Sequence, residues 1–107
     1  MAKTLLVRED LYTDVVNLHV VKLAWNLYKS HKLDHKKTVE VIDNISKIIS
    51  DDPEIKSVYI DFRGRGDFLR SRLMEQFPKI DFKDSRMAAE VLDTIQKEEE
   101  DGKEIIL

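Results

Sequence analysis

The sequence predicts a small single-domain α/β protein in which helices cover a mainly parallel sheet. Its 107 residues suit one domain, and a hydrophobic content of 42% can supply a core. Short runs of β-branched and aromatic residues alternate with longer amphipathic stretches, which indicates strands separated by helices. The resulting order, β-α-α-β-α-β-α-β over residues 1–107, predicts crossover connections and therefore parallel neighbours.

The stretch Ile55 to Met74 forms the centre of this prediction, as a buried strand, a basic turn and an amphipathic helix. The strand alternates apolar with more polar positions, and its apolar residues are Val58, Ile60 and Phe62. Arg63–Gly66 breaks the strand with two glycines, and Asp67 is a suitable N-cap for the helix that follows. That helix carries one apolar stripe, formed by Leu69, Leu73 and Phe77.

Before this unit, we predict one strand and two helices. The strand is Lys3–Arg8, and the first helix runs from about Asp14 to Ser30. The valines of that helix would also suit a strand, but the length of the apolar segment favours a helix. Asp34 is the expected N-cap of the second helix, which runs from about His35 to Ser50 and ends before Pro53.

After the central unit, we predict two strands on either side of a fourth helix. Ile80–Phe82 is the first strand, and Asp84 or Ser85 caps the helix after it. The chain ends on Glu104–Leu107, which we expect to dock as an edge strand, because a free apolar end would be adhesive.

Composition excludes several classes of function. There is no cysteine, which excludes disulfides, thiolate metal sites and cysteine nucleophiles. The net charge is −3, so bulk positive charge does not mark a nucleic-acid binder. No apolar run approaches the ~20 residues that a membrane helix needs. We expect a soluble cytoplasmic protein without a cofactor or a membrane contact.

The basic turn is the first candidate site. A strand, a glycine turn and a helix N-terminus can bind an anion through free amide groups and the helix dipole. Arginines would add bidentate donors, and the residues of this candidate are Arg63, Gly64, Arg65, Gly66 and Arg70. The dinucleotide fingerprint would require a third glycine at position 69, which is Leu69. The alternative, a tight turn whose arginines pair with Asp61 and Asp67, stays open.

The densest basic run, Lys29–Lys37, is the second candidate site. Positive side chains at a helix N-terminus oppose the dipole, so they would gain from a bound phosphate, RNA or acidic protein surface. The candidate residues are Lys32, His35, Lys36 and Lys37. The alternative is a solvated connection between helices.

A metal site is the third candidate. Asp61 and Asp81 each follow an isoleucine and precede a phenylalanine, and they would be equivalent if the two strands are neighbours. Paired carboxylates suit Mg²⁺, which prefers oxygen ligands. The alternative is a pair of aspartates in salt bridges with nearby arginines.

Two segments resemble STAS-type regulatory domains. One is the strand end Ile60-Asp61-Phe62 with its turn and helix, and the other is the stretch from Phe82 to Ile95. The serine that is phosphorylated in anti-sigma antagonists of this type has no counterpart, because the turn here is Arg-Gly-Arg-Gly. The resemblance implies regulation through protein contact and not catalysis.

These observations lead to three hypotheses for function. The first is a non-enzymatic regulatory protein that binds another protein, in which Trp25 and Tyr28 are either core residues or anchors of a homodimer. The second is a nucleic-acid or phosphate binder that uses the turn at Arg63–Gly66 and the segment Lys29–Lys37. The third is a metal-dependent phosphoryl-transfer enzyme built on Asp61 and Asp81.

Overall fold

A computed structural model describes residues 2–10, 15–22, 26–34 and 37–100, which form a five-stranded sheet and three α-helices. The strands are β1 (Lys3–Asp10), β2 (Val15–Val21), β3 (Leu27–Asp34), β4 (Ile55–Ile60) and β5 (Asp81–Asp84). The helices are α1 (Thr38–Asp51), α2 (Arg65–Gln76) and α3 (Ala89–Glu100), and a short 3-10 helix, Ser85–Ala88, precedes α3. None of the described helices is long and apolar enough to cross a membrane.

The sheet is mixed, with the strand order β3-β2-β1-β4-β5. β4 pairs in parallel with β1 on one side and with β5 on the other. β2 is antiparallel to both of its neighbours, so it alone runs against the other four described strands. The predicted α/β class is confirmed, and the carboxyl ends of β1, β4 and β5 lie at one edge of the sheet.

The predicted helix from Asp14 to Ser30 is wrong, because this segment contributes β2 and β3. The β2 residues are rich in valine, and the strand is buried on both faces, so the apolar pattern has no polar side to set its period. The amide of Lys22 donates to the carbonyl of Asn26 at 2.9 Å in the connection between the two strands. The first third of the chain is therefore a three-stranded antiparallel unit.

The remaining predicted elements are found with shifted ends. The second predicted helix is α1, whose N-cap is Lys37, while Asp34 ends β3. α2 begins two residues before Asp67, with Gly64 as its N-cap. Asp84 caps the 3-10 helix by accepting the amide of Arg86. Trp25 and the predicted strand Glu104–Leu107 lie outside the described residues.

The two faces of the sheet carry cores of different size. α1 and α2 pack on one face, where Ile45, Leu69 and Leu73 are fully buried against residues of β1, β2 and β4. The other face has a smaller cluster that includes Leu6 of β1 and is contacted by Val91 of α3. Two helices therefore lie on one face of the sheet and α3 on the other. The edge at which the strands end lies between the N-termini of these helices.

Candidate functional site

A cleft of about 740 Å³ lies where β1 and β4 end, between the first turn of α2 and the 3-10 helix. Parallel strands of an α/β sheet commonly bind ligands at this edge. Charged and apolar residues share the lining, which consists of Val7, Arg8, Glu9, Val15, Ile60, Asp61, Arg63, Gly64, Arg65, Gly66, Ser85, Arg86 and Ala89. The basic turn predicted as a site is therefore part of this cleft.

The turn Arg63–Gly66 has the geometry of a type II′ β-turn. Gly64 has φ 56° and ψ −128°, and the amide of Gly66 donates to the carbonyl of Arg63 at 3.1 Å. A side chain at residue 64 would be strained by the positive φ, although the space around it is open. Gly64 is thus needed for the backbone shape that turns the chain from β4 into α2.

Gly66 serves a different purpose in the same turn. A Cβ atom at this residue would lie 1.5 Å from the carbonyl oxygen of Asp61. The first turn of α2 therefore touches the end of β4 with backbone alone.

Arg63 is held by the carboxylate two residues before it. Oδ1 of Asp61 accepts the Arg63 amide at 3.0 Å and Nε at 3.0 Å, and Oδ2 accepts Nη2 at 2.7 Å. The guanidinium group is thereby fixed at the end of β4, in the paired arrangement that the sequence had left as an alternative.

Arg86 repeats this arrangement at the end of the neighbouring strand. Oδ1 of Asp84 accepts the Arg86 amide at 3.1 Å, and Oδ2 accepts Nε at 2.9 Å and also Nη2. Asp-x-Arg thus occurs at the carboxyl ends of β4 and β5, which are parallel neighbours. Two fixed guanidinium groups line the same cleft.

Both arginines use only one edge of the guanidinium group for this contact. In the described part of the chain, Nη1 of Arg63 and Nη1 of Arg86 make no hydrogen bond. The side chains of Arg63 and Arg86 are 66% and 52% exposed. Each therefore keeps donors for a further acceptor.

The pairing keeps the two aspartates ionised. Hydrogen bonds from Arg63 hold the pKa of Asp61 below its usual range, although burial and the nearby charge of Asp84 oppose this shift. Hydrogen bonds from Arg86 lower the pKa of Asp84 to about 2, against the effect of burial. The pKa values of both arginines are raised by the same contacts.

A third ion pair closes the side of the cleft towards β1. Nε of Arg65 lies 2.8 Å from Oε1 of Glu9, and each side chain is about one quarter exposed. Arg8 also lines the cleft. With Asp84 included, four guanidinium groups meet three carboxylates, so the excess is one positive charge.

The other predicted anion ligands that the structure describes do not line this cleft. Arg70 pairs with Asp67 at 2.5 Å and stacks on the ring of Phe62. Lys32 lines a separate groove between β3 and α1 and lies 3.7 Å from Asp34. β1 and β2 separate β3 from β4 in the sheet, so the two basic segments do not form one site in the described residues.

Lys37, a further described member of the second basic segment, does not line the cleft. Lys37 is exposed at the start of α1, where its amide donates to the carboxylate of Glu40 at 3.0 Å. His35 and Lys36 lie outside the described residues.

The expected equivalence of Asp61 and Asp81 is wrong. β4 and β5 are neighbours, but Asp81 pairs with Ser57 near the start of β4, and Asp84 pairs with Ile60. The first Ile-Asp-Phe ends a strand, whereas the second begins one. Among the described residues, no cluster of three or more histidine or acidic side chains could hold a metal ion.

Sequence reasoning missed several residues of the cleft, namely Arg8, Glu9, Val15, Ser85, Arg86 and Ala89. The Asp-x-Arg repeat of the cleft is present in the sequence as Asp61-Phe62-Arg63 and Asp84-Ser85-Arg86. It is offset from the more conspicuous Ile-Asp-Phe repeat, and only the strand register distinguishes the two.

No protein-family model matches the chain, and a search of the curated proteins gives no significant match. What the cleft can do is therefore derived from its own residues. They combine fixed cationic donors, ionised carboxylates and an apolar lining.

Proposed function

We propose that this chain is a binding protein whose cleft takes the phosphate group of an anionic ligand. The observation that carries the proposal is the pair of Asp-x-Arg turns, which fix Arg63 and Arg86 beside one cleft. A guanidinium group offers a planar set of donors that matches a phosphate group.

Fixing the arginines in advance favours binding. An arginine that becomes ordered on binding loses side-chain entropy, whereas Asp61 and Asp84 already order these two. The ligand would use the Nη1 side of each group, which is free of hydrogen bonds to the described residues. Gly64, whose amide also has no partner among those residues, lines the same cleft.

The ionisation states of the cleft favour binding over acid–base catalysis. A general acid or base works best with a pKa near the working pH. Arg63 and Arg86 hold the pKa values of Asp61 and Asp84 below the usual range, so both carboxylates stay charged at neutral pH.

Contact with another protein is the second candidate function, and the position of β3 favours it. In the sheet that the described residues form, β3 is an edge strand of eight residues that carries the exposed side chains of Lys29 and Lys32. An acidic extended segment could pair with such an edge. Titration of labelled protein with a polyglutamate peptide tests this, and an absence of chemical-shift changes along β3 would remove the candidate.

The experiment for the phosphate proposal is a calorimetric titration with inorganic phosphate. Arg63→Ala and Arg86→Ala are each expected to weaken binding about tenfold, as is typical for loss of a charged hydrogen bond. Arg72→Ala is the matched control, because this arginine lies on α2 over the ring of Phe68 and does not line the cleft. No binding by the wild type, or equal binding by all variants, would overturn the proposal.

A further inference from the structure

We infer that the ligand is an organic phosphate with an apolar or aromatic group, about the size of a nucleoside monophosphate. This inference rests on the proposed function and names the ligand class of the same cleft. The observation that carries it is that the arginines share the cleft with apolar side chains.

The apolar part of the lining comes from the same elements that hold the arginines. Val7 and Ile60 are 3% and 2% exposed and belong to the main core, so they form a fixed floor. Val15, which is half-buried, and Ala89, which is exposed, complete the apolar lining above that floor.

Each arginine is close in sequence to an apolar position of the cleft. Ile60 is the last residue of β4, three residues before Arg63, and Ala89 begins α3, three residues after Arg86. All four residues line the same cleft, so a ligand that contacts both guanidinium groups meets apolar residues there. A ligand with one charged end and one apolar end satisfies both kinds of lining.

The volume of the cleft supports an organic ligand over a bare phosphate ion. At about 740 Å³, it falls within the range of roughly 300–1,000 Å³ that is usual for small-molecule sites. A phosphate ion would fill only a small part of this space and would leave the exposed part of the apolar lining, at Val15 and Ala89, in contact with water, whereas an attached ring would cover it.

The distribution of charge favours a small molecule over a nucleic-acid strand. Arg70 is paired with Asp67 outside the cleft, and Lys32 lies in the groove beside β3. Single-strand binding usually follows a continuous basic groove with aromatic rings for base stacking. The described lining of the cleft contains no aromatic ring, and its basic residues do not continue to Lys32.

The test compares inorganic phosphate, phenyl phosphate and a short single-stranded oligonucleotide by calorimetry. Phenyl phosphate is expected to bind at least tenfold more tightly than inorganic phosphate, because its ring covers the apolar lining. Equal affinities for the two would overturn this inference and leave the phosphate site standing. Tighter, strongly salt-dependent binding of the oligonucleotide would also overturn it. If neither phosphate compound binds, the proposed function itself fails.

Matched variants then locate the apolar contact. Val15→Thr and Ala89→Ser are each expected to weaken phenyl phosphate binding about threefold and to leave inorganic phosphate unchanged. Val39→Thr is the control, because Val39 is exposed on α1 and does not line the cleft. Arg63→Ala weakens both ligands. If neither Val15→Thr nor Ala89→Ser changes the preference for phenyl phosphate, the ring does not occupy the cleft and the inference is wrong.

Discussion

Gly66 lies so close to Asp61 that a Cβ atom on the glycine would be 1.5 Å from the aspartate carbonyl oxygen. This contact joins the first turn of α2 to the end of β4, and the same aspartate fixes Arg63 through its side chain. The packing of the helix and the orientation of a cleft arginine therefore depend on one residue.

Gly66→Ala is expected to destabilise the protein by about 2 kcal/mol or more, because α2 must move away from β4 to admit the methyl group. Helix propensity alone predicts the opposite sign, a gain of roughly 0.5–1 kcal/mol for alanine over glycine. Urea denaturation at neutral pH measures the difference. A gain in stability would show that α2 shifts at little cost.

Gly64→Ala is a useful comparison within the same turn. Nothing lies within 4 Å of the added methyl group, so only the strain of a positive φ remains. We expect a loss of about 1–2 kcal/mol. If Gly64→Ala and Gly66→Ala lowered the free energy of unfolding equally, backbone strain at Gly64 and steric overlap at Gly66 could not be told apart, which would contradict this prediction.

Asp61→Asn is expected to weaken phosphate binding a few-fold. The asparagine oxygen can still accept the amide of Arg63, but the second oxygen that accepts Nη2 is lost, so Arg63 is less ordered before the ligand binds. Calorimetric titration with phosphate measures the change, and Asp67→Asn serves as control because Asp67 pairs with Arg70 outside the cleft. Stronger binding by Asp61→Asn would mean that charge repulsion between Asp61 and the ligand outweighs the ordering of Arg63.

The Arg65–Glu9 pair is expected to couple more strongly than an exposed pair. Both side chains are about one quarter exposed, and the contact links α2 to β1. A double-mutant cycle with Glu9→Gln and Arg65→Gln should give roughly 1 kcal/mol of coupling in the free energy of unfolding, against about 0.5 kcal/mol or less for Asp67 and Arg70. Equal couplings would contradict a role in joining the two elements.

His19 is expected to make stability fall below about pH 6.5. It is fully buried on β2, its Nδ1 lies 2.9 Å from Oγ of Ser30, and burial, aided by Arg8, lowers its pKa to about 4. Its contribution is complete above the unfolded pKa of about 6.5 and decreases as the pH falls towards 4, because only the unfolded chain then binds the proton. The loss is about 2 kcal/mol at pH 5.

Urea denaturation at pH 7 and pH 5 measures this loss in the wild type and in His19→Asn, which should be nearly independent of pH in this window. His31→Asn is the control. Burial and Lys29 also lower the pKa of His31, but the side chain is only partly buried, so most of the pH dependence should survive its replacement. If the free energy of unfolding of His19→Asn fell between pH 7 and pH 5 as much as that of the wild type, the pH dependence would not come from His19.

The central unit could be predicted from sequence because its signals are local. Alternation of apolar residues identified β4, two glycines identified the turn, and residues four apart, Leu69 and Leu73, identified the buried stripe of α2. Arg63–Gly66 was assigned to a candidate site for the same reason. Arg70 was assigned to the same site, but it pairs with Asp67 three residues before it. The helical repeat could not decide between this pairing and a place in the site.

For the segment from Val15 to Asp34, local sequence patterns were not enough to predict the secondary structure. A strand buried on both faces has no alternation of polar and apolar residues, and its length together with β3 matched one long helix. Pairing with β1 makes this segment a strand. Residues 15–21 pair with residues 4–10, and these contacts would not form if residues 15–21 were helical.

The sequence by itself determined the α/β class, the glycine-dependent turn and the basic residues within it, because each depends on neighbours in the chain. The tertiary structure decided the strand order and the register of β5 against β4. That register brings Asp84 and Arg86 beside Asp61 and Arg63, and makes one cleft from two separate turns. Pairing between strands is set by contacts between residues far apart in sequence, so no local pattern could specify it.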